Sequence, residues 1–147
     1  MGWFNLYGLL AVAILLIPNI VWACRHRGEA ASGGGKALPV LEQIGRYGCM
    51  ACMVFNIPYA TLGFWFSHAF LAYLAGNGTL LALYLLGWLI KGKGTVKALW
   101  LSVLPTLLFV FSGILLLSLP LLFFAVLFGI GHITVSYKNA KEKGAEQ

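Results

Sequence analysis

The stretch Leu38–Pro58, LPVLEQIGRYGCMACMVFNIP, opens with an acid, an amide and an arginine, passes a Cys-x-x-Cys and ends as hydrocarbon. It reads either as a reactive site or as the foot of a membrane helix, and the composition of the whole chain bears on the choice. Hydrophobic residues fill 61% of 147 positions and charged residues 10%, with a mean hydropathy of +0.88. That leaves too little polar surface to cover a soluble globule. The expected fold is an all-α, polytopic integral membrane bundle whose solvent is the lipid bilayer, with no room for a separate soluble domain.

Five apolar stretches are expected to span the membrane, at about 3–24, 40–57, 68–90, 98–117 and 120–137. A helix rises about 1.5 Å per residue and the hydrocarbon core is roughly 30 Å thick, so the shorter second and fifth cross only if upright or flanked by snorkelling side chains. Reading Ala75–Gly78, AGNG, as a turn would leave a fragment over Thr79–Ile90 of about 18 Å, too short to cross. Residues 25–39, small and Gly-rich, read as a flexible cytoplasmic loop, and 138–147 as a cytoplasmic tail.

Charge gives an independent check on the count. Five spans put Arg25, Arg27, Lys36, Lys91, Lys93, Lys97, Lys138, Lys141 and Lys143 on one side, with Arg46 just inside the second span from that side. The positive-inside rule makes this side cytoplasmic and the N-terminus external, in a multi-pass protein of the cell membrane. All four acids, Glu29, Glu42, Glu142 and Glu146, fall on the same side. Trp3, Phe4, Tyr7, Tyr59, Phe64 and Trp65 then mark the outer interface, and Trp22, Trp88, Trp100 and Tyr137 the inner one, as an aromatic belt. Topology and attraction to anionic lipid account for the net charge of +6. No nucleic-acid partner is expected, because the basic residues are split among short segments. MGWFNLYG has no basic n-region, so the first span reads as permanent.

In this frame Glu42, Gln43 and Arg46 occupy the first two turns of the second helix. Glu42 and Arg46 stand i to i+4 with the acid first, the favourable order for an ion pair. Either the pair snorkels to the interface, or Arg46 faces a wet cavity and contacts an anion or carboxylate. Gly45, Gly48, Cys49, Cys52 and Asn56 read as a small, weakly polar stripe that lets helices approach closely. A redox role for the cysteines would need a thiolate in a polar setting, which a lipid-buried helix does not supply. No second Cys-x-x-Cys follows, so neither a metal nor another cofactor is expected.

Asn19, Asn77 and His132 are the other intramembrane polar residues that must find partners. Ala125, Gly129, His132 and Ser136 share one face of the fifth helix, which turns His132 toward the bundle. There it is either satisfied by a neighbouring helix or handles a proton, since imidazole changes charge near neutral pH. Asn77, between Gly76 and Gly78, either opens backbone carbonyls to a ligand or admits a neighbouring helix. Asn19, Arg46 and His132 reach comparable depth and would form a polar cluster near the cytoplasm if their faces converge. A Glu42-paired Arg46 would tend to keep His132 neutral, and a carboxylate or anionic ligand would favour its protonation.

Neither H-E-x-x-H nor G-x-S-x-G occurs, so no intramembrane hydrolase is indicated. The leading functional expectation is a transporter or channel subunit for a small solute or ion, with Asn19, Glu42, Arg46, Asn77 and His132 along the path. It would assemble as a homo-oligomer or in a larger membrane complex, because five short helices enclose little space. The alternatives are an accessory or scaffold protein and, third, a membrane-embedded redox or other enzyme.

The topology is tested by Ala145→Cys in a Cys24→Ser background. The new thiol should stay unlabelled by a membrane-impermeant maleimide in intact cells and react after permeabilisation; labelling in intact cells would reverse the orientation.

Overall fold

The computed structural model describes residues 2–27, 35–92 and 94–145. These form five helices: α1 (Leu6–Arg25), α2 (Ala37–Val54), α3 (Ala69–Leu89), α4 (Thr95–Leu115) and α5 (Leu119–Ala145). Four of them, α1, α3, α4 and α5, are long and apolar enough to cross a membrane. At 18 residues α2 is the shortest, and Glu42, Gln43 and Arg46 make it less apolar. Lys93, Glu29, Glu146 and the middle of the 25–39 loop lie outside the described residues.

Local chemistry moves several expected boundaries. The first helix begins at Leu6 because the Asn5 side chain caps it, accepting from the Gly8 backbone N–H at 3.0 Å. The second ends at Val54, short of the expected Ile57, because Phe55 turns extended and bridges Phe4. Asn56 is therefore not on the helical stripe. Its backbone N–H donates to the Trp3 carbonyl at 2.8 Å and its side-chain amide to the Gly2 carbonyl at 2.7 Å, tying the N-terminal segment to the loop after α2. The third helix runs unbroken through AGNG. The fifth continues through the expected tail to Ala145, where lysine and alanine sustain it.

Successive helices alternate in direction. At one end Asn5 donates its backbone N–H to Val54 at 2.7 Å, Gly63 to Leu116 at 2.9 Å, and Leu119 to Ala60 at 3.2 Å. The start of α1, the end of α2, the loop before α3 and the α4–α5 turn thus meet there, rimmed by Trp3, Phe4, Phe55 and Trp65. Among the described residues this end carries no Asp, Glu, Lys or Arg, and the charged ones cluster toward the other.

Glycine allows the helices to pack at close range. At the α2–α5 crossing, a Cβ at Gly45 would run into the backbone of Phe128, and one at Gly131 would lie 2.8 Å from the Glu42 Cα. Gly48 receives the Phe124 ring, Gly129 the Thr106 methyl and Gly8 the Met53 carbonyl. Small residues thus take the place of the water-driven apolar attraction that lipid does not supply. Pro18 and Pro105 sit inside α1 and α4, and Pro105 is buried; neighbouring groups make such prolines tolerable in membrane helices.

Gly45→Ala should destabilise the bundle by about 2 kcal/mol, since overpacking costs roughly 1–3 kcal/mol. Gly78→Ala, which meets nothing within 4 Å, should be neutral or gain up to about 1 kcal/mol from helix propensity. Unfolding in mixed detergent micelles measures both, and equal effects would contradict the close α2–α5 crossing.

Candidate functional site

Glu42 is the centre of the polar cluster. It lies on the α2 face turned to α5, only 7% exposed, with the Gly131 backbone pressed against it. One carboxylate oxygen, Oε1, serves two donors. Arg46 Nη2, one turn along the same helix, donates to it. His132 Nδ1 on α5 stands 2.9 Å from the same atom. An ionised carboxylate only accepts, so an ionised Glu42 takes this bond from a protonated Nδ1. The imidazole is held flat by the Phe128 ring, with centroids 4.7 Å apart and planes 16° apart. The expected Glu42–Arg46 pair is present, and the partner that His132 requires is Glu42.

Arg46 and His132 also border a small cavity of about 40 Å³ together with Asn19, Leu15, Phe109 and Phe128. Asn19, Arg46 and His132, which the sequence places at one depth, are thus brought together by α1, α2 and α5. A volume of this size holds one to a few water molecules, and its polar lining can bind them. Asn19 is exposed on its outer side, but its amide N–H₂ is fully engaged, donating to the Leu15 carbonyl at 3.0 Å and to the Tyr84 hydroxyl at 2.8 Å.

Asn77 lies elsewhere, 4% exposed and facing α4. Its Oδ1 accepts from the Ser112 hydroxyl at 3.0 Å, and its Nδ2 has no partner among the described residues. Its two flanking glycines differ: Gly76 accommodates the Phe111 ring, whereas Gly78 faces open space. Cys49 and Cys52, 0% and 4% exposed, are free thiols inside the apolar core with Met53 and Tyr73. Their burial suits packing better than exchange with a soluble thiol. Among the described residues no three His, Cys, Asp or Glu side chains come together to hold a metal ion.

The sequence reading missed Tyr84, Asn5, Tyr73 and Ser112. Asn5 Nδ2 donates to the Tyr73 hydroxyl at 3.3 Å, and that hydroxyl lies beside Ser112. A usable signal was present: Tyr73, Asn77, Leu81, Tyr84 and Trp88 recur at i, i+4, i+8, i+11 and i+15, one face of a helix. No family model matches this sequence, and no curated protein or solved structure shows significant similarity to it.

Proposed function

We propose that the protein is a small transport subunit of the cell membrane, passing a proton or another small ion through the Glu42–His132–Arg46 cluster. In this reading all five helices cross the bilayer. The polar turns of α2 are shielded by α5, and the N-terminus lies outside with the basic end in the cytoplasm. The lipid bilayer surrounds the bundle, and further copies or a larger complex complete any wider passage.

The observation that carries the proposal is the 2.9 Å contact between the Glu42 carboxylate and His132 Nδ1 beside a cavity that Arg46 and His132 both line. Ionisable groups within spans are costly unless paired and mark ion pathways and proton relays. The second imidazole nitrogen makes no hydrogen bond among the described residues. A proton arriving there from a cavity water yields an imidazolium that the carboxylate stabilises. The ring returns to neutral either by giving the new proton back to the cavity or by passing the Nδ1 proton to Glu42, which releases it to water before the Nδ1–H tautomer re-forms, so nothing is consumed. Arg46 offsets the charge of Glu42 while the ring is neutral, and it is the most accessible member of the cluster, its side chain 32% exposed. The cavity has room for water rather than for an organic solute, which favours a proton over a larger cargo.

The test is dissipation of a pH gradient in proteoliposomes under an imposed membrane potential. His132→Gln and Glu42→Gln, verified as folded, should each slow it about tenfold, equivalent to about 1.4 kcal/mol of barrier. A wild-type rate no higher than that of empty vesicles, or an unchanged rate in folded His132→Gln, would overturn the proposal.

A further inference from the structure

The buried face of α3 carries a column of polar groups interrupted once. Toward the uncharged end stand Tyr73, 1% exposed, and Asn77, 4% exposed, joined to Asn5 on α1 and Ser112 on α4. Toward the charged end stands Tyr84, 2% exposed, bonded to Asn19 at the edge of the Arg46–His132 cavity. Between them Leu81, 8% exposed, belongs to the apolar core. Asn5 and Asn19 are separated by about 21 Å along α1, so the two groups together cover most of a hydrocarbon core of roughly 30 Å.

Helix packing alone would not require this arrangement. Apolar side chains would fill the same space without burying hydroxyls and amides that need partners. Asn77 Nδ2 is more than nine-tenths buried and unpaired among the described residues, at the last polar position before the interruption. An unpaired donor there costs on the order of 1–3 kcal/mol, which a bound water would relieve.

From proton transfer at the Glu42–His132 pair, we infer that the Asn5–Tyr73–Ser112–Asn77 group is the second half of the same proton path, separated from the Tyr84–Asn19 half by Leu81 as an apolar gate. The Tyr73 and Ser112 hydroxyls each accept a proton on a lone pair and release their own to the next hydroxyl or water, and rotation of each O–H back to its starting direction restores the chain for the next transfer. Asn77 orients water at the gate through its free N–H. The gap from Asn77 to Tyr84 is about 10 Å along the helix, which roughly three waters at ordinary hydrogen-bond spacing would bridge once the Leu81 side chain is displaced.

The test uses the full chain in phosphatidylcholine–phosphatidylglycerol vesicles with a trapped pH dye, a potassium gradient and valinomycin. Leu81→Ser, which removes the apolar obstacle and adds a hydroxyl, should raise the proton flux about tenfold. Tyr73→Phe should lower it about fivefold and cancel most of the Leu81→Ser gain. A folded, monodisperse Leu81→Ser protein with wild-type flux, or a Tyr73→Phe protein with undiminished flux, would overturn the joined path. If His132→Gln still slows the wild-type flux in that case, transport at the cluster stands and only the α3 column is removed from it. Flux no higher than in empty vesicles for both wild type and Leu81→Ser would overturn both. Should Leu81→Ser not fold, Tyr73→Phe decides the matter alone.

Discussion

A carboxylate cannot be left unpaired in a hydrocarbon environment, and Glu42 is placed where two helices must cooperate to satisfy it. Arg46 comes from its own helix, while His132 comes from α5 and reaches the same oxygen atom. Removing one partner of such a buried pair typically costs about 3–5 kcal/mol, because the remaining charge stays buried. The carboxylate therefore fixes the rotation of α2 relative to α5. The Gly45–Phe128 and Gly131–Glu42 approaches are possible only at that rotation. The least apolar helix is held in the bundle by the same residues that give it chemistry.

Polar groups at the other levels serve α1, α3 and α4 in a comparable way. Asn19 joins Tyr84, Asn5 joins Tyr73, and Ser112 joins Asn77. These are neutral pairs, individually worth on the order of 0.5–2 kcal/mol in membranes, and Asn77 Nδ2 is left without a partner among the described residues. The apolar core between them, with Leu81, Leu104 and Leu108, separates the bundle into two polar layers. A bundle of this design can be rigid in packing yet hold ionisable groups beside a small cavity.

Much of the fold was legible because lipid imposes a simple length and charge rule. Five helices fall near the five apolar stretches, and the described charges gather toward one end of the bundle. Boundaries were less legible where a side chain overrides hydropathy. Asn5 starts α1 late, and Phe55 ends α2 early by pairing with Phe4, which takes Asn56 off the helix. In the site, the Glu42–Arg46 pair was readable from its i to i+4 spacing. The contact between Glu42 and His132 spans 90 residues, and no local pattern encodes which faces of α2 and α5 meet. Tyr73 and Tyr84 were overlooked because tyrosine in a span reads first as packing or interface anchor, and its hydroxyl becomes informative only when the partners on α1 appear.

The bond between Glu42 and His132 is measured most directly by a double-mutant cycle on unfolding in mixed micelles, using Glu42→Gln, His132→Gln and the combination. Residues in direct polar contact show coupling of about 0.5–3 kcal/mol, and the shared carboxylate places this pair in the upper half of that range. Single-mutant costs that simply add, to within about 0.5 kcal/mol, would mean that the two side chains do not hold α2 to α5, and would remove the interaction on which the site is built.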